Sequence, residues 1–88
     1  MRNIVYSVQF RRDAKLVEKR GRDLRKLAEV LSLLVDGTPL PPRLRDHALS
    51  GKWKNLRDCH IEPDWVLIYK IEGADLQLVR TGSHSDLF

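Results

Sequence analysis

A chain of 88 residues has room for one hydrophobic core and excludes a second domain. Hydrophobic residues make up 42% and charged residues 32%, interleaved in both signs, which excludes extended disorder. The single cysteine, Cys59, excludes an internal disulfide, and no apolar run is long enough for a signal sequence or a bilayer span, so a soluble cytoplasmic protein held by packing alone is expected. The net charge of +4 is uneven: Arg11 to Lys26 holds eight basic residues against three acidic ones. Such a block suits a polyanion or an acidic protein, or is a solvated helix face.

Ile4 to Val8 is β-branched and aromatic and predicts a first strand. Phe10, Ala14 and Val17 then recur at helical spacing, predicting a short amphipathic helix that Gly21 ends. Leu24, Leu27, Ala28, Leu31, Leu34 and Val35 define a second helix, with Asp23 as N-cap and Gly37 just past its end. The proline-rich run Thr38 to Pro42 fits neither a helix interior nor a central strand and is expected as a surface connector.

Ser50-Gly51 marks a turn into a strand starting near Lys52-Trp53. Trp65 to Ile71 is the next strand, Glu72 to Asp75 a hairpin loop, and Leu76 to Thr81 the last strand. Strands grouped after helices predict one α+β domain over residues 1–88, β-α-α-β-β-β, with both helices on one face of an antiparallel sheet.

All three histidines, His47, His60 and His84, fall in the sheet half, near Asp46, Asp58, Asp64 and Asp86. Strand alternation puts Asp58 and His60 on one outward face and Cys59 and Ile61 in the core. It also aligns Leu76, Leu78, Arg80, Gly82 and His84 on one face of the last strand, which predicts a polar pocket at that end of the sheet. A zinc site could draw on the histidines and Cys59, but no C-x-x-C or H-x-x-x-H spacing supports it, and no metal or other cofactor is expected. A cysteine or serine nucleophile lacks any glycine-bounded elbow. Cleavage of RNA by its own 2′-hydroxyl needs one base, one acid and charge stabilisation, which two histidines, nearby carboxylates and a cation supply near neutral pH.

Three segments recur as a pattern: His47-Ala48-Leu49-Ser50-Gly51, Arg57 to Lys70 with its R-D-x-H-x-x-P-D-W core, and Arg80 to Phe88 with T-G-x-H-x-x-L-F. In that order they resemble the YafQ branch of the RelE/ParE superfamily of type II toxins, over essentially the whole chain. The resemblance implies the same β-α-α-β-β-β fold with a short terminal helix, and a toxin that cuts messenger RNA in the ribosomal A site. Carried over by position, it implies an active site of His47, Asp58, His60, Asp64, His84 and Phe88. His84 is then the acid and His60 or His47 the base, while Asp58 and Asp64 orient the rings. Phe88 stacks on a nucleobase or closes the core, and Arg80 meets phosphate or pairs with an acid. Lys15, Lys19 and Arg22 would grip ribosomal RNA or be masked by an acidic antitoxin, through which the pair binds operator DNA. The alternatives are a ParE-like toxin directed at gyrase, which the three histidines disfavour, and a noncatalytic basic nucleic-acid-binding module.

Overall fold

The computed structural model describes all 88 residues. The elements run β1 (Asn3–Tyr6), α1 (Val8–Lys19), α2 (Leu24–Asp36), β2 (His47–Ala48), β3 (Arg57–Glu62), β4 (Trp65–Glu72), β5 (Asp75–Gly82) and α3 (His84–Leu87). They form a five-stranded sheet in the order β1-β5-β4-β3-β2. Every pairing is antiparallel except β1 with β5, which is parallel. The α+β expectation holds, with the terminal helix and one further strand, the two-residue β2.

Local chemistry sets the boundaries. The Ser7 hydroxyl accepts from Phe10 N at 2.8 Å and donates to the Val79 carbonyl at 2.9 Å, so one side chain starts α1 and fastens it to β5. Val8 is therefore the first residue of the helix rather than the last of the strand. Asp23 caps α2, and Gly37 ends it at φ 73°, a left-handed conformation that favours glycine. A Cβ at Gly37 would also stand 3.2 Å from the guanidinium of Arg2, which donates to the Leu34 carbonyl at the helix end.

The core lies on both sides of β4, which reads as an unbroken apolar run because both its faces are covered. Trp65, Leu67 and Tyr69 pack with Cys59, Leu76 and Leu78 against Phe10, Val17, Leu27, Val30 and Leu34 of the two helices. Val66 and Ile68 point the other way, beneath Leu87, Leu49, Trp53, Leu56 and Val79. On α2 the buried stripe is Leu27, Val30 and Leu34, and Ala28 faces solvent. The indole of Trp65 donates to the Thr81 hydroxyl at 2.9 Å, so its one polar atom is satisfied inside the core.

Two expectations change. Gly51 to Trp53 form a 3₁₀ turn, and the strand begins only at Arg57, because Asn55 takes a positive φ of 73° that breaks extended backbone. In β5, Tyr69 opposes Leu78 while Ile68 opposes Arg80, so Val79 is an extra residue in a β-bulge. The bulge shifts the alternation: Thr81 rather than Arg80 continues the helix-facing side of Leu76 and Leu78, and Arg80 and Gly82 fall on the opposite face, in register with Ile68 and Val66.

Asp13 of α1, buried, fixes that bulge. It accepts from Arg80 Nε at 2.7 Å, Arg80 Nη2 at 3.2 Å and Thr81 N at 3.2 Å. Asp13→Ala leaves these donors without an acceptor, and the urea midpoint should fall by the equivalent of roughly 2–3 kcal/mol. An unchanged midpoint would show that the contact does not hold α1 to β5.

Candidate active site

Sheet register builds the site. Arg80, Ile68, Asp58 and His47 lie opposite one another in a row across β5, β4, β3 and β2, and Gly82, Val66 and His60 form the next row. Val66, Ile68, Asp58, His60 and His47 face away from α1 and α2, so Val66 and Ile68 make an apolar floor with polar groups at its edge, while Arg80, at the border of this face, reaches back to Asp13 of α1. Gly82, buried at φ 157°, lets the chain leave β5 and turn back over this face. Ser83 then caps α3 by accepting from Asp86 N, and Leu87 plugs into the floor beside Val66 and Ile68. This short helix delivers His84 and Phe88 to the site.

The three imidazoles stand in line. Ring centroids are 6.5 Å apart for His47 and His60, 5.1 Å for His60 and His84, and 5.9 Å for His84 and Phe88. In each ring Nδ1 faces an oxygen that can only accept: the Arg45 carbonyl at 2.8 Å for His47, the Pro63 carbonyl at 3.4 Å for His60, and Asp64 Oδ1 at 3.2 Å for His84. Assigned from these partners, Nδ1 carries the hydrogen in all three, and Nε2 is left for substrate.

The two carboxylates differ. Asp64 is exposed and held below the usual carboxylate range, first by the backbone N–H of His84 at 3.1 Å and then by its ring. Asp58 is buried, and burial pushes it above that range despite the opposing pull of His47, His60 and His84. Its Oδ1 lies 3.0 Å from His47 Nδ1, but that ring is directed at the Arg45 carbonyl and Oδ1 has no hydrogen-bond partner. Sharing a face with His60 was legible from alternation; the burial of Asp58 beneath the histidine row, against the expected outward position, follows from the covering second layer.

The remaining expectations divide. Phe88 is 54% exposed and it is Leu87 that closes the core, so Phe88 is open to a ligand. Arg80 borders the same face, with Nε and Nη2 engaged by Asp13. Arg22 is half-buried, donating to Glu62 at 2.8 Å and to the Asp64 carbonyl at 3.2 Å, so it ties the α1–α2 turn to the hairpin carrying Asp64. Lys15 and Lys19 are exposed on α1, apart from the histidine row. Cys59 faces the helices and burial pushes its thiol up to about 12, so it offers neither nucleophile nor ligand to the site. No three histidine, cysteine or carboxylate groups converge with metal-holding geometry.

Two further residues, Asp46 and Trp53, support the site through contacts that sequence alone does not show. Asp46 accepts from the Tyr69 hydroxyl at 2.5 Å and from Arg57 Nε and Nη2, both at 3.2 Å. The next residue is His47, on a strand only two residues long, so this anchor holds the ring in place. Its signal, an acid directly before a histidine, was visible, but its partners lie 11 and 23 positions away. Trp53 packs edge-on against Phe88, with centroids 5.7 Å apart.

A small α+β domain of this shape is the fold of the toxin in a solved toxin–antitoxin complex. The family model described as "Bacterial toxin of type II toxin-antitoxin system, YafQ" matches residues 2–88, and the chain belongs to that family. It is 49% identical to the mRNA interferase toxin YafQ of Escherichia coli K12 over 88 residues, which are 99% of this chain and 96% of that one. Its fold matches the crystal structure of YafQ from E. coli BL21(DE3) with a TM-score of 0.94 and 47% identity, covering 100% and 99% of the two chains. It matches YafQ in the E. coli DinJ–YafQ complex with a TM-score of 0.92 and 47% identity, at the same coverage.

Because the raised Asp58 carboxyl loses its proton earlier in the unfolded chain than in the folded one, its contribution to stability is present at acid pH and is lost as pH rises through the folded value. Asp58→Asn should therefore gain in melting temperature relative to the native chain between pH 4 and pH 7, while losing activity. A constant difference across that range would show that Asp58 is not strained by burial.

Proposed function

We infer that the chain is a ribosome-dependent mRNA endonuclease that cuts by metal-independent attack of the 2′-hydroxyl on the adjacent phosphorus. One observation carries this reading: three imidazoles in a row, each with Nδ1 turned to an acceptor, over a buried carboxylate without a hydrogen-bond donor. A noncatalytic basic surface gives that carboxylate nothing to do. The name of the E. coli relative, an mRNA interferase, agrees with the reading.

In-line displacement places the attacking and departing oxygens on opposite sides of phosphorus, so base and acid belong at the two ends of the row. His84 is the acid: ionised Asp64 at its Nδ1 stabilises the imidazolium, and Nε2 protonates the departing 5′-oxygen. His47 is the base, taking the 2′-hydroxyl proton on Nε2 while Asp58 compensates the charge that develops. His60, between them, donates from Nε2 to the phosphoryl oxygens in its imidazolium form as negative charge builds. The product is a 2′,3′-cyclic phosphate and a free 5′-hydroxyl.

The antitoxin is the partner expected from the E. coli DinJ–YafQ complex. An acidic antitoxin would cover the exposed cations of α1, Lys15 and Lys19 among them, that otherwise meet ribosomal RNA, and would carry the pair to operator DNA. No helix is long and apolar enough to cross a membrane, which agrees with work on cytoplasmic ribosomes.

Two experiments test these roles. In ribosomes programmed with mRNA, His84→Ala should reduce cleavage at least 100-fold. A message with sulfur in place of the scissile 5′-oxygen, a leaving group that needs no acid, should restore cleavage to His84→Ala and not to His47→Ala; rescue of His47→Ala instead would reverse the assignment. Lys15→Glu with Lys19→Glu should weaken ribosome binding and flatten its salt dependence by roughly 1.5 in the slope of log K against log salt. An unchanged slope would remove α1 from the ribosome contact.

A further inference from the structure

The His84–Asp64 pair is assembled from two separate elements. His84 lies on α3, and Asp64 lies in the turn between β3 and β4. Asp64 Oδ1 meets both the backbone N–H and the ring Nδ1 of His84, at 3.1 and 3.2 Å, so a small displacement of either element parts them. Both elements are tied to one tight turn at the end of α1. Arg20 and Arg22 flank Gly21, whose φ of 90° ends the helix and lets Arg22 N donate back to the Val17 carbonyl at 3.1 Å. Arg20 Nη1 lies 2.6 Å from Asp86 Oδ2 on α3. Arg22 donates from Nη1 to Glu62 at 2.8 Å and from Nη2 to the Asp64 carbonyl at 3.2 Å. Lys26 Nζ adds a second contact to Glu62 at 2.7 Å, and the two cations, Lys26 first, hold that carboxyl below its usual range, so the anchor stays ionised.

We propose that Arg20 and Arg22 are positioning residues for the acid step: from one turn, Arg20 sets α3 and Arg22 sets the β3–β4 turn, and together they hold His84 against Asp64. The proposal rests on the reading of His84 as the general acid. A recess of about 500 Å³, bordered by Arg20, Arg22, Glu62 and Ser83, lies between the α1–α2 turn and the start of α3, so ion pairs rather than packing span this distance. Leu87 fixes α3 to the apolar floor, which leaves its rotation about that contact to be set elsewhere. An exposed ion pair adds little to the stability of a fold, because water screens it. Choosing one orientation of a four-residue helix takes little free energy, so loss of the pair shows in the His84–Asp64 geometry before it shows in unfolding. The two arginines differ in what they require. Arg20 makes one contact, which a lysine ammonium repeats, whereas Arg22 uses both arms of its fork on two acceptors, which a lysine does not.

Hydrogen exchange of the His84 amide, followed by NMR on the full chain, reads the contact with Asp64 directly. Arg20→Ala and Arg22→Lys should speed that exchange about tenfold and leave the buried amides of β4 unchanged, whereas Arg20→Lys should retain native protection. On ribosomes programmed with mRNA, Arg20→Ala should lower kcat about tenfold at unchanged KM, and should lose nothing on the message with sulfur in place of the scissile 5′-oxygen, which needs no acid. Native exchange at His84 in both Arg20→Ala and Arg22→Lys, or an equal loss of cleavage on the two messages, overturns the proposal. Faster exchange at His84 in both variants, together with no cleavage of either message by the native chain, overturns the endonuclease reading instead and leaves the two arginines as the groups that hold His84 against Asp64.

Discussion

Strand β4 lies between two apolar layers, and each later feature depends on that position. Its helix-facing residues, Trp65, Leu67 and Tyr69, complete the main core, while Val66 and Ile68 on the reverse provide the floor on which the polar site rests. A single sheet of this size with one bare face would leave that floor wet, and a wet floor would screen Asp58 from the histidines. Leu87 closes it, so the short helix that carries His84 into the site also keeps the site dry. Folding of the carboxyl-terminal segment and assembly of the histidine row are the same event.

The bulge at Val79 is the second requirement. Without it Arg80 would alternate onto the helix side with Leu76 and Leu78, where a guanidinium has no place in an apolar core. With it, Arg80 joins the row of Ile68, Asp58 and His47, and Thr81 turns inward to satisfy the indole of Trp65. Asp13 answers both consequences by accepting from Arg80 and from Thr81 N. One buried carboxylate in α1 thus sets which side of the sheet a cation occupies.

The fold was largely legible because its signals are local. The α2 stripe, the Asp23 and Gly37 caps, the uninterrupted run of β4 and the glycine in the β4–β5 turn each depend on residues within a few positions of one another. Alternation alone puts Asp58 and His60 on a common face, and Cys59 with Ile61 in the core on the other. What could not be read depends on long-range register. The bulge is invisible in Leu76 to Gly82 because only the partner strand defines it, and Asp58 is buried in register between Ile68 of β4 and His47 of β2, which its own strand does not reveal. The Asp46 anchor uses Tyr69 and Arg57, whose own positions suggest only core and surface. Arg22 reads as one more cation in a basic block until Glu62 is brought beside it by the β3–β4 hairpin.

The two carboxylates of the site show why both were needed. An exposed acid such as Asp64 can orient a ring and steady a proton, but water screens it, and its influence stays with the one histidine it touches. Asp58, shielded below the row, acts on all three imidazoles at once, and burial strengthens that coupling as it raises the free energy of the ionised form. Its Oδ1 lies 3.0 Å from His47 Nδ1, so positive charge on that ring would meet the carboxylate directly. The site therefore carries a standing destabilisation that the two-sided core of β4 must offset, and it is placed against the most completely buried strand of the molecule.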